Sequence, residues 1–330
     1  MSGPVAVLRR RVTVLVYRGG WAVVRVLPEG VALRLFDVVA DVAWWRRGAG
    51  VRRLEANLRR VRPDLDDASL RALSRAGMRS YLRYWCEAFR LPTWSRERLL
   101  ATVRTEDDAP VRAALARGGV VIGLGHQGNW DHAGAWSTLA LAPVTTVAER
   151  LEPEEVFTAF LRFRESLGMT ILPLTGGPPV FPELLRRVRH GAFVPLLMDR
   201  DLTSSGVEVE MFGEPARVAA GPAALALTAG VPLFPATLHY EPAPPGSPAA
   251  AAGARWRQVV RFHPQVALPA DGDRAQRVRA MTQDCVDALA AGVRAHPEDW
   301  HMMQRVFTAD LDPARLAAGR PGPHAAGGAP

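Results

Sequence analysis

The feature that most constrains this chain is a rhythm that begins at Gly118, where short apolar runs alternate with stretches of helical length. The runs cover residues 120–124, 144–147, 170–174, 193–198 and 231–238. Each has the length of a strand buried on both faces, and the intervals between them can hold crossover helices. The pattern predicts an α/β fold: a central, mostly parallel sheet of about seven strands flanked by helices. Residues 255–262 add an edge strand after the low-complexity linker 242–254, and residues 276–295 form a closing helix.

Upstream of the rhythm the spacing changes to that of helices. Residues 51–62 and 69–90 place Leu, Met, Tyr, Trp and Phe at helical intervals, and Asp66 and Asp67 open the second segment. Between Val5 and Ala49, apolar clusters alternate with Arg18, Arg25, Arg34, Arg46 and Arg47. Such an amphipathic region suits the headgroup boundary of a membrane, although the same helices could pack on the main domain with their Arg heads in water. The apolar stretch after Arg9, Arg10 and Arg11 is broken by Arg18 and Gly19, well short of the ~20 residues of a spanning helix. The expected layout is one domain over residues 1–330. A helical, membrane-docking region occupies 1–100, an α/β catalytic core 101–310 and a disordered tail 320–330.

Charge narrows the partners without selecting one. The net charge is +8 and every basic residue other than histidine is Arg. The Arg bias by itself is what GC-rich coding produces, but the sign attracts anionic lipid, nucleic acid or a phosphate-bearing substrate such as a coenzyme A thioester. No nucleic-acid module, G-x-S-x-G elbow, HExxH or Walker A sequence is present. Cys86 and Cys285 stand far apart, with no ligand or disulfide spacing.

In open parallel sheets ligands bind beyond the carboxyl ends of the strands. There the chain places Gly125-His126-Gln127-Gly128-Asn129-Trp130-Asp131, then Thr175-Gly176-Gly177, then Asp199-Arg200-Asp201, then His239-Tyr240-Glu241. A helix starting near Asn129 brings Asp131 into its first turn, within reach of His126. A histidine held by a carboxylate can take a proton from a hydroxyl that attacks a thioester, while free helix amides steady the developing charge. Taken alone, H-x4-D also fits a hydrogen-bonded loop histidine and a carboxylate serving the helix N-terminus. The same residues fit G-x-G-x-x-G over Gly123–Gly128, with Glu149 near the place of a ribose-binding acid, so a nucleotide-binding oxidoreductase stays open on motif grounds.

His126 to Asp131, followed by Ala133-Gly134-Ala135-Trp136, resembles the H-x4-D block of the bacterial lysophospholipid and lipid A acyltransferase superfamily, and its actinobacterial phosphatidylinositol mannoside branch in particular. Further blocks extend the likeness over nearly the whole chain: Tyr84 to Pro92, Arg164 to Met169, Asp199 to Leu202, Gly206 to Val209, Phe212-Gly213, Ala220 to Pro222, and His296 to Met302. The resemblance implies a peripheral enzyme on the cytoplasmic face of the plasma membrane that needs no metal and binds no resident cofactor. It would use an acyl-CoA, typically palmitoyl-CoA, to acylate a mannose 6-hydroxyl of phosphatidylinositol mannosides. His126 would be the general base. Glu208 is the first expectation for its carboxylate, ahead of Asp131 and Asp199, and Asp131 would otherwise orient substrate. Asn129, Arg164, Asp199, Arg200 and Asp201 are expected at the substrate, the two arginines meeting donor or inositol phosphates. Another lipid acceptor, or a lipid-binding protein without catalysis, are the alternative readings. Gly221-Pro222 is expected to begin a buried helix, and Trp300 and Met302 to pack against the sheet.

Overall fold

The computed structural model describes residues 19–21, 23–149, 154–175, 179–201 and 206–311. The basic run Arg9 to Arg11, the Gly176-Gly177 pair, Leu202 and the tail 320–330 lie outside them.

Strands β1 (Val103–Glu106), β2 (Val120–Leu124), β5 (Phe193–Leu197), β8 (Leu233–Pro242) and β9 (Trp256–Phe262) form the central sheet in the order β1-β9-β8-β2-β5. β2 pairs in parallel with β5 on one side and β8 on the other, β1 with β9 likewise, and only β8–β9 is antiparallel. The run at 120–124 is buried on both faces because each face has its own core. Val121 packs with Val194, Leu225 and Val286, whereas Val120 and Ile122 pack with Trp136, Phe193 and Phe234.

The expected seven-strand sheet is five strands in continuous pairing. β3 (Thr145–Ala148) and β4 (Thr170–Pro173) form a parallel ribbon that meets the sheet through one bridge, Val144 to Phe193. β6 (Val207–Met211) and β7 (Glu214–Val218) form a separate antiparallel hairpin. β1, β6 and β7 were not signalled by apolar runs, because each is short and carries charged residues on a partly solvated face.

The helices follow their local codes. Asp66 caps the Asp67–Arg90 helix, its side chain accepting the Ser69 N–H at 2.7 Å. Asp273 and Gln276 form a reciprocal capping box at the start of Arg274–Ala295. The expected helix at Gly221-Pro222 runs Gly221–Ala229, with its proline in the first turn.

The Glu29–Arg46 helix departs from a simple amphipathic pattern. It buries Ala32, Leu33 and Ala40 against the molecule, yet Val31, Leu35, Val38, Val42 and Trp45 are exposed at alternating spacings of four and three residues. Apolar residues therefore occupy both its inner face and an outer stripe, flanked by exposed Arg34 and Arg46. Among the described residues no helix is long and apolar enough to cross a membrane.

Candidate active site

β2 and β5 end side by side, with Leu124 paired to Leu197, and the Met198 N–H donates to the Leu124 carbonyl at 2.8 Å. The next residues of the two strands, Gly125-His126 and Asp199, therefore leave the sheet together. The imidazole meets Asp199 there: His126 Nδ1 lies 2.6 Å from Asp199 Oδ1, and the His126 backbone N–H donates to Oδ2 at 2.8 Å. The Trp300 indole N–H donates to the same Oδ2 at 2.9 Å. An ionised carboxylate can only accept, so Nδ1 carries the proton and the lone pair sits on Nε2. Asp199 is 1 % exposed while the His126 side chain is 25 % exposed, so a buried acid backs a base that solvent or substrate can reach. Burial opposes ionisation of Asp199, but the His126 charge and the hydrogen bonds from His126 and Trp300 hold its carboxyl below the usual range.

The glycines of the Gly123–Gly128 motif make room for protein groups. A Cβ on Gly123 would stand 2.6 Å from Met198 Sδ, and one on Gly125 3.1 Å from Asp199 Oδ2. Gly128, at φ +51°, would meet Gln258 Nε2 at 2.7 Å. The loop amides are also engaged: His126 by Asp199, Gln127 by the Gly125 carbonyl, Gly128 by the Asp299 carbonyl and Asn129 by Gln258 Oε1. This loop is packed against the chain itself and presents no cradle of glycines and amides for a pyrophosphate. Of the helix amides expected to steady a developing charge, that of His132 is taken by Asn129 Oδ1.

Asp131 does not face His126. Only 2 % exposed, it receives Arg164 Nε at 2.6 Å on Oδ1, and on Oδ2 Arg164 Nη2 at 3.2 Å and the Tyr84 hydroxyl at 2.9 Å. Burial disfavours the Arg164 cation, but the Asp131 charge and hydrogen bonds outweigh it and push the guanidinium pKa up. The pair ties the Glu154–Ser166 helix to Trp130–Ala140. Two of the Arg164 nitrogens are thus directed at Asp131.

Glu208, the first expectation for the base's carboxylate, is exposed on the β6–β7 hairpin and accepts a hydrogen bond from Thr308 at 3.4 Å. It is replaced in that position by Asp199, because β5, and not β6, is the neighbour of β2 in the sheet. Asn129 is fully buried and caps its helix: Oδ1 accepts the His132 N–H at 2.9 Å and Nδ2 donates to Glu87 at 2.8 Å. Arg200 lies 3.6 Å from Glu149, and the Asp201 N–H donates to the Arg217 carbonyl at 3.0 Å. His132 is buried with Nε2 3.0 Å from Thr102 Oγ1, and burial lowers its pKa to about 3, so it stays neutral. Glu87, which also accepts from the Tyr240 hydroxyl at 2.8 Å, has its pKa raised to about 7 by burial.

Sequence reasoning missed the part played by residues 299–301. Trp300 is fully buried as expected, but its N–H is also a partner of the dyad. Asp299 and His301, to either side, both meet Ser80 of the Asp67–Arg90 helix. The available signal was a block in which two titratable residues flank a tryptophan, a period-of-two pattern too short to read alone.

The model of the bacterial lipid A biosynthesis acyltransferase family matches residues 5–309. A protein of Mycolicibacterium smegmatis named phosphatidylinositol mannoside acyltransferase is 41 % identical over 311 residues, 93 % of this chain and 95 % of that protein. Proteins of the same name from two strains of Mycobacterium tuberculosis are 39 % identical over 318 residues, 95 % of this chain and 94 % of theirs. With a family model spanning nearly the whole chain, and relatives of this identity aligned end to end, the protein belongs to the bacterial lipid A biosynthesis acyltransferase family and is an acyltransferase.

Proposed function

We propose that this acyltransferase moves a palmitoyl-type chain from acyl-CoA to a mannose 6-hydroxyl of phosphatidylinositol mannosides, with His126 as general base. The observation that carries the base assignment is the His126–Asp199 contact, which engages Nδ1 and leaves the Nε2 lone pair unused on a side chain that is 25 % exposed. The acceptor class follows from the names of the relatives.

In this reading Nε2 removes the proton of the sugar hydroxyl as its oxygen attacks the thioester carbonyl carbon. The C–S bond then breaks, and the imidazolium returns the proton to the departing thiolate, so one ester and one free thiol result. Asp199 keeps the ring in the Nδ1–H tautomer and stabilises the imidazolium between the two proton transfers. No covalent enzyme intermediate is required.

In the same reading the reaction takes place at the cytoplasmic face of the plasma membrane. The exposed stripe Val31, Leu35, Val38, Val42 and Trp45, with Arg34 and Arg46 beside it, supports docking on anionic lipid: apolar side chains would enter the acyl boundary while guanidinium groups meet headgroup phosphates.

The test is thiol release from palmitoyl-CoA with phosphatidylinositol mono- or dimannoside, comparing the native chain with His126→Ala at matched folding. Acceptor-dependent release should fall by roughly a hundredfold to ten-thousandfold in the variant. Unchanged release in His126→Ala would overturn the base assignment, and no release with either mannoside would overturn the acceptor class in favour of another lipid.

A further inference from the structure

Asp199 Oδ2 is held by two donors of different origin. One is the backbone N–H of His126, which belongs to the same loop as the ring that Asp199 must orient. The other, the Trp300 indole, comes from the far end of the chain. A carboxylate fixed only by the loop it serves could rotate with that loop, so an external donor is what sets the direction of Oδ1 towards Nδ1.

The backbone around Trp300 is built to hold that donor. Directly after the 3-10 turn Pro297–Asp299, Trp300 is extended and bridges Gln127 of the catalytic loop: the His301 N–H donates to the His126 carbonyl at 2.8 Å and the Gly128 N–H to the Asp299 carbonyl at 3.0 Å. Alternation along this strap sends Asp299 and His301 to Ser80 and Trp300 to the opposite side, onto Asp199. Ser80 gives its hydroxyl hydrogen to Asp299, so His301 must donate Nε2–H to the Ser80 oxygen. The three groups form a chain that runs from imidazole to hydroxyl to carboxylate, in which Ser80 is an anchor and has no free base to make it a nucleophile. Trp300 itself is fully buried, with the Phe212 ring at 5.7 Å.

We propose that Trp300 is a positioning residue of the reaction centre, its indole N–H fixing the Asp199 carboxylate so that Oδ1 faces His126. The inference rests on the acyl-transfer reading for its effect on rate, but not for its effect on the imidazole. Without the indole donor, Oδ2 loses a buried partner and the carboxylate is free to turn Oδ1 away from Nδ1, so it stabilises the imidazolium less.

The test compares the native chain, Trp300→Phe, and a chain with benzothienylalanine at position 300, which replaces the N–H by sulfur at nearly constant shape and so remains informative if the Phe variant folds poorly. Titration of the His126 ring is followed by NMR alongside steady-state acyl transfer. The expected result is a His126 titration moved to lower pH by about half a unit, with kcat down about tenfold and KM little changed. In an Asp199→Asn background the same replacements should add little, since the group they act through is altered. A His126 titration that stays put or moves to higher pH in the isosteric chain overturns the proposal, whether or not the native chain shows turnover. An equal fall in kcat in the Asp199→Asn background overturns it too. A titration that moves to lower pH in the isosteric chain, where the native chain shows no acyl transfer, upholds the positioning role and removes only the reaction assigned to it.

Discussion

Asp199 and Asp131 are buried to the same degree and stand on either side of the same loop, yet they do opposite things. Asp199 is paired with an imidazole, whose charge can come and go, and the contact leaves Nε2 open. Asp131 is paired with a guanidinium, whose charge is permanent, and its two oxygens are occupied by Arg164 and Tyr84. A buried carboxylate becomes part of a reaction centre when its partner can exchange a proton. Facing a cation that cannot, it fastens two helices.

Replacing each acid by its amide should separate these roles, and the largest effect belongs to Asp199→Asn. The amide can donate to Nδ1, which permits the wrong tautomer and removes the charge that stabilises the imidazolium. Turnover should fall by about a hundredfold or more with the fold retained, read by thiol release and far-UV circular dichroism. Asp131→Asn should do the reverse. It leaves the Arg164 cation buried without its counter-charge, so about 3–5 kcal/mol of stability should be lost in denaturant unfolding. Activity per folded molecule should fall far less than in Asp199→Asn, and a loss equal to the Asp199 variant's would erase the distinction.

How much of this was legible before the structure follows from the same pair. The strands were readable because β2, β5 and β8 are apolar on both faces, and the rule that ligands gather at strand ends put His126, Asp131 and Asp199 on one short list. What the sequence does not state is strand order. The neighbour of β2 is β5, more than sixty residues on by numbering, and that adjacency alone decides that Asp199 reaches the imidazole and Glu208 does not. The H-x4-D spacing invites a contact within the motif, but the helix cap at Asn129 turns Asp131 towards Tyr84 and Arg164. The glycine motif misleads for a related reason. Its glycines mark close approaches, and nothing in a one-dimensional pattern tells whether the approaching group is a phosphate or Met198, Asp199 and Gln258.

A third buried acid extends the comparison, because Glu87 is paired with neutral groups only, the Asn129 amide and the Tyr240 hydroxyl. Its pKa is raised to about 7 in the folded chain, first of all by burial. A raised acid favours the folded state below its unfolded pKa of about 4.3, and that contribution is lost as pH climbs through 7. A shift of this size corresponds to roughly 3 kcal/mol between those limits. Glu87→Gln should therefore flatten the pH dependence of unfolding between pH 4.5 and 8, and should be relatively more stable than the native chain at the alkaline end. A native stability profile that the substitution leaves unchanged in slope would mean that Glu87 stays ionised in the fold.

The smallest expected effect is the sharpest check on the assignment of the acid. Glu208 stands on an exposed face of a hairpin outside the central sheet, with a single long hydrogen bond from Thr308. Glu208→Gln keeps the shape and can still accept that bond, so unfolding free energy should stay within about 0.5 kcal/mol of the native value. Turnover should be equally unaffected, because β6 lies outside the sheet edge that brings Asp199 to His126. A large fall in turnover for Glu208→Gln, with Asp199→Asn near native, would reverse the roles of the two acids and require the hairpin to fold over the loop when substrate binds.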